Sequence, residues 1–393
     1  MTEFPPRPNR PVYLDNQATT RCDPRVVDAM LPFFTEEYGN PHSTEHVMGR
    51  RAEDAVEHAR AQVASLIGAD AKEVVFTSGA TEANNIAIKG AARFASGTGD
   101  ARRRVVTVAT EHKCVLEAVA DIADEGFEPV VLPVHSDGLL DAATLHGALG
   151  TPALLVSVMA VNNETGVVQD IPRLAGLAKR EGALFHTDLA QAAGKIPVDV
   201  TGWKVDLASI SGHKLYGPKG VGALFVRRRP RVRLAPLFSG GAQERGLRSG
   251  TLPTPLIVGL GAACALAAAE MEAEAERIAA LRVRLLGRLV AAIEGVRVNG
   301  SMRARIAGNL NVSFPGRSAT ALMRVMPDLC VSTGSACSSA EIEPSYVLRA
   351  LGLSDPEAAS SLRIGIGRFT SAADIDYAAA SLAAACADER SRA

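Results

Sequence analysis

The sequence predicts an α/β protein: a large domain on a mostly parallel sheet, followed by a smaller α+β domain at the C-terminal end. Three observations predict it. From about residue 70, short β-rich apolar runs alternate with helix-like stretches, as in a parallel sheet with crossover helices. After Pro253 and Pro255 that alternation stops, and Ile278, Leu281, Leu285 and Leu289 fall at the spacing of a long amphipathic helix. Beyond it, short strand-like runs return at 309–314, 329–332 and 362–367. With 393 residues and about 150 per domain, two or three units are expected. We divide the chain into an N-terminal segment packing with the small domain (1–20), a large domain (21–264) and a small domain (265–393).

The elements follow in order. Residues 74–76 read as a strand, then a Ser/Gly/Thr turn and a helix through Ile86, Ile88, Ala91 and Ala92. Residues 105–108 read as the next strand, with 111–122 helical. The pattern recurs at 130–132, 154–159, 184–186, 205–210 and 222–226. In such sheets ligands gather at the carboxyl ends of strands, so chemistry is to be sought just after each apolar run.

Composition excludes several classes. Hydrophobic residues make up 47% and charged residues 22%, the balance of a soluble globular protein. Lys plus Arg is 42 against 43 Asp plus Glu, a net charge of −1, without the basic excess of a nucleic-acid binder. The longest apolar run, 256–269, falls short of the roughly 20 residues of a membrane span, so no membrane association is expected. The first ten residues hold three prolines and no hydrophobic stretch, so no signal peptide is read there. Six cysteines, none in a C-x-x-C pair, fit neither a disulfide scaffold nor a zinc site, and no metal site is expected. A reducing cytoplasm is the expected location.

Seven polar stretches could carry chemistry. TSGATEANN (77–85) enters a helix, where amides and the hydroxyls of Ser78 and Thr81 could cradle a phosphate; an ordinary cap by either residue fits equally. His112 in TEHKC (110–114) follows a strand, as an acid/base or stacking group or simply a satisfied polar residue. VNNETG (161–166) is a polar turn between strand and helix. Asp188 sits just past an apolar run, where a carboxylate could face a cationic ligand atom or open a helix. Lys214 lies in a glycine-rich turn between two strands, beside Ser211 and His213, as a candidate Schiff-base amine or a solvated surface lysine. Cys337 lies among small residues after a strand, an odd place for a structural cysteine and a suitable one for a nucleophilic thiol. Arg363 alternates with Leu362, Ile364 and Ile366 beside glycines, which suits bidentate capture of a carboxylate or an exposed strand position.

Together, an anion cradle, an aspartate after a strand, a turn lysine and an arginine match the needs of a pyridoxal phosphate enzyme. The ordered strings YLDNQATT (13–20), GNPHS (39–43), TSGATE (77–82), TEHK (110–113), VNNE (161–164), SGHK (211–214), RSGT (248–251), SAC (335–337) and EPSYVLRAL (343–351) cover nearly the whole chain. With them the sequence resembles the cysteine desulfurases of the class V aminotransferase family, in the group with the longer active-site loop. Gln17 occupies a position that varies among these relatives and carries little weight.

The resemblance implies a fold of the aspartate aminotransferase type (PLP fold type I), the cofactor pyridoxal 5'-phosphate and a homodimer. It implies that Lys214 holds the cofactor as a Schiff base, that Asp188 pairs with the ring nitrogen and Gln191 with the phenolic oxygen, and that His112 stacks on the ring and helps move protons. Ala80, Thr81, Ser211 and His213 would bind the phosphate, with Thr251 reaching it from the second subunit. Asn163 would contact cofactor and substrate, and with Arg363 would hold the substrate carboxylate. Cys337 would accept the sulfur of L-cysteine as a persulfide and leave L-alanine. The implied partner is an iron–sulfur scaffold or another sulfur-acceptor protein. Housekeeping relatives often carry a longer C-terminal tail for scaffold docking, whereas this chain ends ADERSRA (387–393), so docking through such a tail is not expected. A selenocysteine lyase or a true aminotransferase of this fold, with Cys337 a bystander, are the alternatives. A non-catalytic regulator is disfavoured, because the pattern begins near residue 11 and leaves no room for a DNA-binding module.

Overall fold

The computed structural model of the chain describes residues 9–334 and 344–392. A short strand β1 (Val12–Tyr13) comes first. Seven strands then build the central sheet: β2 (Val74–Thr77), β3 (Arg104–Val108), β4 (Glu128–Leu132), β5 (Ala153–Ser157), β6 (Leu184–Asp188), β7 (Leu207–Ser211) and β8 (Gly222–Val226). Their spatial order is β2-β8-β7-β6-β5-β3-β4. The pairs from β7 through β4 are parallel, and β8 runs antiparallel to both of its neighbours.

Every residue of β2, β5 and β7 is buried. Helices cover both faces, so these strands read as apolar runs instead of alternating in polarity. Phe76, Val106 and Phe185 pack in one core, while Val75, Val105 and Leu155 pack in another. Adjacent residues of β2 and of β3 thus point to opposite faces. The edge strand β4 carries Pro129, which an inner strand would not tolerate, and leaves Val131 51% exposed. Crossover helices start where the sequence supplies caps: Asp141 accepts from the Thr144 N–H and Asp170 from the Arg173 N–H.

One 39-residue helix, Thr254–Ala292, joins the two halves of the molecule. Ile257, Leu260 and Cys264 pack in the core that holds Phe76, whereas Ile278, Leu281, Leu285 and Leu289 pack in a third core. Among the described residues this is the one helix long and apolar enough to cross a membrane, since helical sequence extends the apolar run beyond 256–269. Much of that apolar stretch faces the protein interior. The third core lies under a smaller antiparallel sheet of β9 (Arg297–Val298), β10 (Asn309–Ser313) and β12 (Ser361–Gly365), in the order β12-β10-β9. Strand β11 (Leu329–Cys330) pairs in parallel with β1.

The N-terminal segment ties this smaller sheet to the large one. Asn16 Nδ2 donates to the Gly365 carbonyl at 2.7 Å, and the Thr20 N–H donates to the His213 carbonyl at 2.9 Å. Residues 15–20 therefore run beside the carboxyl end of β7, where the turn lysine sits.

Candidate functional site

A cavity of about 490 Å³ opens at the carboxyl ends of β5, β6 and β7. Lys214, His112, Asp188, Gln191, Asn163, Ser211, His213, Ala80, Thr81 and Arg363 all line it.

Lys214 ends a short 3-10 turn, Gly212–Lys214, directly after β7. A side chain at Gly212 would lie 2.8 Å from the Pro218 carbonyl, so glycine is needed for the turn to close. The Lys214 Nζ donates to the carbonyls of Gln17 at 2.7 Å and Ala18 at 2.6 Å. His213 Nδ1 lies 3.0 Å from Thr19 Oγ1. Burial, with the charges of Lys214 and Lys219 adding to it, pushes the His213 imidazole down to about 4, so it is neutral at pH 7.

Asp188 is the last residue of β6. Its Oδ2 accepts from Asn84 Nδ2 at 2.8 Å and its Oδ1 from the Ala190 N–H at 2.7 Å. Two donors fix the carboxylate plane. His112 caps the helix Lys113–Asp121, with Nδ1 accepting from the Cys114 N–H at 3.2 Å. An accepting Nδ1 places the proton of a neutral ring on Nε2. Burial holds His112 below its ordinary value, with Asp188 opposing and Lys214 and Lys113 reinforcing the shift. The Cys114 Sγ lies 3.0 Å from the same His112 nitrogen, and burial pushes this thiol up to about 12, which keeps it protonated.

The helix Ala80–Gly97 starts behind Gly79, and among the described residues no side chain caps it. The alternative of an ordinary Ser78 or Thr81 cap is thereby set aside, and the uncapped first turn faces the cavity beside Ser211 and His213. In the turn 161–166, Asn162 does the structural work, its Oδ1 accepting from the N–H groups of Glu164 and Thr165. Asn163 is left to the cavity, with a buried Oδ1 that has no partner among the described residues. Arg363 is buried and pairs through one terminal nitrogen with Asp15 at 2.8 Å, while its Nε has no partner among the described residues. The buried Arg363 Nε and an uncapped helix start suit an anionic, carboxylate-bearing ligand, while the fixed Asp188 carboxylate suits a cationic atom on it.

Two expected residues stand apart. Thr251 is exposed and does not line the cavity of its own chain. Cys337 lies outside the described residues; Gly334 and Tyr346, on either side of that gap, both line the cavity.

Sequence reasoning missed several contributors. The Gln17 and Ala18 carbonyls hold Lys214, and backbone acceptors leave no mark in side-chain pattern. Asn84 fixes Asp188 from three residues beyond Thr81, on the same helix. Glu111 is fully buried, accepts from the Met159 N–H, and is pushed well above its ordinary value by burial and by the Asp188 charge. Its place in TEHK was the available signal. Lys195 Nζ donates to Gln191 Oε1 at 2.7 Å.

An α/β fold with a lysine amine, a fixed carboxylate and an uncapped helix start around one cavity defines an enzyme of the kind that holds an aldehyde cofactor on a lysine. The chain belongs to the class V aminotransferase family, which matches residues 12–378. The mitochondrial cysteine desulfurase of Arthroderma benhamiae is 57% identical over 369 residues, covering 94% of this chain and 73% of that protein. Cysteine desulfurase IscS of Rickettsia felis is 53% identical over 371 residues, covering 94% of this chain and 90% of the other. A solved NifS-like protein superposes with a TM-score of 0.88 at 34% identity, covering 98% of this chain and all of that one. The expected fold class and family are borne out, and membership of the family implies dependence on pyridoxal phosphate.

Proposed function

We propose that this enzyme is a cysteine desulfurase that converts L-cysteine to L-alanine and passes the sulfur to Cys337 as a persulfide. The observation that carries the reading is the convergence of Lys214, Asp188, Gln191 and His112 on one cavity, in a chain 57% identical to a cysteine desulfurase. Pyridoxal phosphate bound on Lys214 supplies an electron sink, which acidifies the Cα proton of an amino acid and weakens its Cβ–S bond.

Each residue then has a task. The Lys214 amine, pre-positioned by the Gln17 and Ala18 carbonyls, takes the Cα proton once it is free. Asp188 would keep the ring nitrogen protonated, and a Gln191 N–H would serve the phenolic oxygen. Neutral His112 would stack on the cofactor ring and could offer its Nε2 proton. The first-turn amides of Ala80 and Thr81, with Ser211 and His213, hold the phosphate. Asn163 would contact cofactor and substrate, its side-chain N–H and the Arg363 guanidinium together holding the substrate carboxylate. In the balance, Cys337 gives up its thiol proton and its sulfur forms an S–S bond as the Cβ–S bond breaks, Cβ takes a proton, and the proton taken from Cα is returned to complete alanine.

The same reading makes the working unit a homodimer, with Thr251 serving the partner's phosphate site. Its exposure, and the exposed Leu31, Phe34 and Tyr38, support that arrangement. It divides the chain at about 264 into two domains, supported by cores that the helix Thr254–Ala292 bridges, with residues 1–20 on the smaller one. An iron–sulfur scaffold or another thiol-bearing protein takes the sulfur onward, in the cytoplasm. The described cysteines are free thiols, which fits a reducing compartment.

The test is mass spectrometry of the cofactor-loaded protein after incubation with L-cysteine. The expected result is one added sulfur on the peptide that carries Cys337, lost in Cys337→Ser with cofactor colour retained. Sulfide release and turnover unchanged in Cys337→Ser would overturn the proposed sulfur path, and faster turnover of an amino-group transfer than of L-cysteine would favour an aminotransferase.

A further inference from the structure

Gln191 projects from the turn after β6, and its amide is held from both ends. Nε2 donates to the Gln17 carbonyl at 2.8 Å, while Oε1 accepts from Lys195 Nζ at 2.7 Å. A carboxamide has two chemically opposite ends, and reversing it here would set Oε1 against the Gln17 carbonyl and N–H groups against the lysine's donors. Nε2 carries two N–H groups; one is used by Gln17, and the other is available to the cavity that Gln191 lines.

The backbone keeps Lys195 within reach. The Lys195 N–H donates to the Ala192 carbonyl at 2.9 Å, and Gly194 has φ +70°, where a side chain would come within 2.9 Å of Ala267 on the long helix. The charged groups acting on Lys195 are Lys214 and Arg363, which disfavour its charge, and Glu274, which favours it. Burial and Lys214 bring the amine down to about 7, and both of its protonation states still carry N–H donors for Oε1.

We infer that Lys195 is a positioning residue that locks the Gln191 amide with its N–H end toward the cavity, so that the cofactor's phenolic oxygen always meets a donor. The inference rests on the reading of Gln191 given above and goes beyond it by naming what orients that side chain. A donor at the phenolic oxygen competes with that oxygen's hold on the neighbouring imine proton, so losing the donor raises the pH at which the cofactor's visible band changes. Removing the Lys195 charge alone would act in the same direction, and a double-mutant cycle separates the two.

The experiment titrates the visible absorbance of four pyridoxal phosphate-loaded proteins: wild type, Lys195→Met, Gln191→Ala and the double variant. His112, Asp188, His213 and Arg363 face the same cavity and are common to all four. The expected result is an upward shift of ~0.5–1 pH unit for Lys195→Met in the wild-type background, from loss of a single oriented hydrogen bond. In the Gln191→Ala background the same change should move the midpoint by less than half as much, and Lys195→Arg should restore most of the wild-type value. Circular dichroism and a thermal melt confirm that each variant is folded, and Met keeps the buried stem of the lysine if Arg does not fit. Equal shifts in both backgrounds, or no shift in either, would overturn the inference while leaving the reading of the site standing. A wild-type protein that takes up no colour would overturn both.

Discussion

Glu244 and Arg60 form a buried pair that anchors the segment leading to Arg248 and Thr251, and replacing Glu244 by glutamine should be costly. Two bonds of 2.8 Å join the carboxylate to the guanidinium, with side-chain exposures of 2% and 5%. The same carboxylate accepts from the Phe76 N–H on β2, and the guanidinium lies 4.6 Å from the Phe76 ring centre. The carboxamide of the Glu244→Gln variant would keep an acceptor for Phe76 but leave a buried cation whose remaining carboxylate partner, Glu57, is largely exposed. Breaking a buried pair on one side costs about 3–5 kcal/mol. At about 2.1 cal/mol/K per residue over 393 residues, an unfolding entropy of roughly 0.8 kcal/mol/K converts this to a Tm lower by about 4–6 °C for a chain that melts as one unit. Adding Arg60→Met should recover much of the loss, because the orphaned charge goes with it. The Val74 carbonyl, which Arg60 also serves, still accepts from Arg245 at 2.8 Å. Calorimetry and urea denaturation of the two single variants and the double variant measure this. A Glu244→Gln loss under about 1 kcal/mol, or a double variant as unstable as the sum of the singles, would refute the reasoning.

Two further outcomes follow from the site and its supports. Arg363→Ala should lower kcat/KM for L-cysteine by roughly 10- to 150-fold, mainly through KM, the range of a charge-assisted bond; an unchanged KM would remove Arg363 from carboxylate binding. His186, wholly buried between Ser157 and Ser209, is held at about 4 by burial, with Asp188 opposing. Between that value and about 6.5 the unfolded chain binds the extra proton, so this residue's contribution is full above pH 6.5 and is lost as pH falls toward 4. Urea denaturation at pH 7 and pH 4.5 should show the wild type losing up to roughly 3 kcal/mol more than His186→Gln over that interval, and equal losses would contradict the assignment.

The central sheet was legible because strands buried on both faces announce themselves as apolar runs. Residues 74–76, 105–108 and 222–226 match β2, β3 and β8 to within a residue. Ends were harder to read. The run 154–159 continues past β5: the Val158 N–H still bonds the His186 carbonyl on β6, and the Met159 N–H then turns to the Glu111 side chain. The helix expected from 111 begins at Lys113 because the His112 side chain caps it. The site was legible where side chains carry it, as at Lys214 and Asp188. It was not legible where the backbone does, as at Gln17 and Ala18, or where one side chain acts on another, as Lys195 does on Gln191. Such roles depend on contacts between distant segments, which spacing along the chain does not encode.

The most direct test of the covalent attachment is borohydride reduction of the pyridoxal phosphate-loaded protein, followed by peptide mapping. The reduced cofactor should be found on the Lys214 peptide alone, with Lys214→Ala unlabelled and colourless. A label on Lys195, on Lys219 or on no lysine would contradict it.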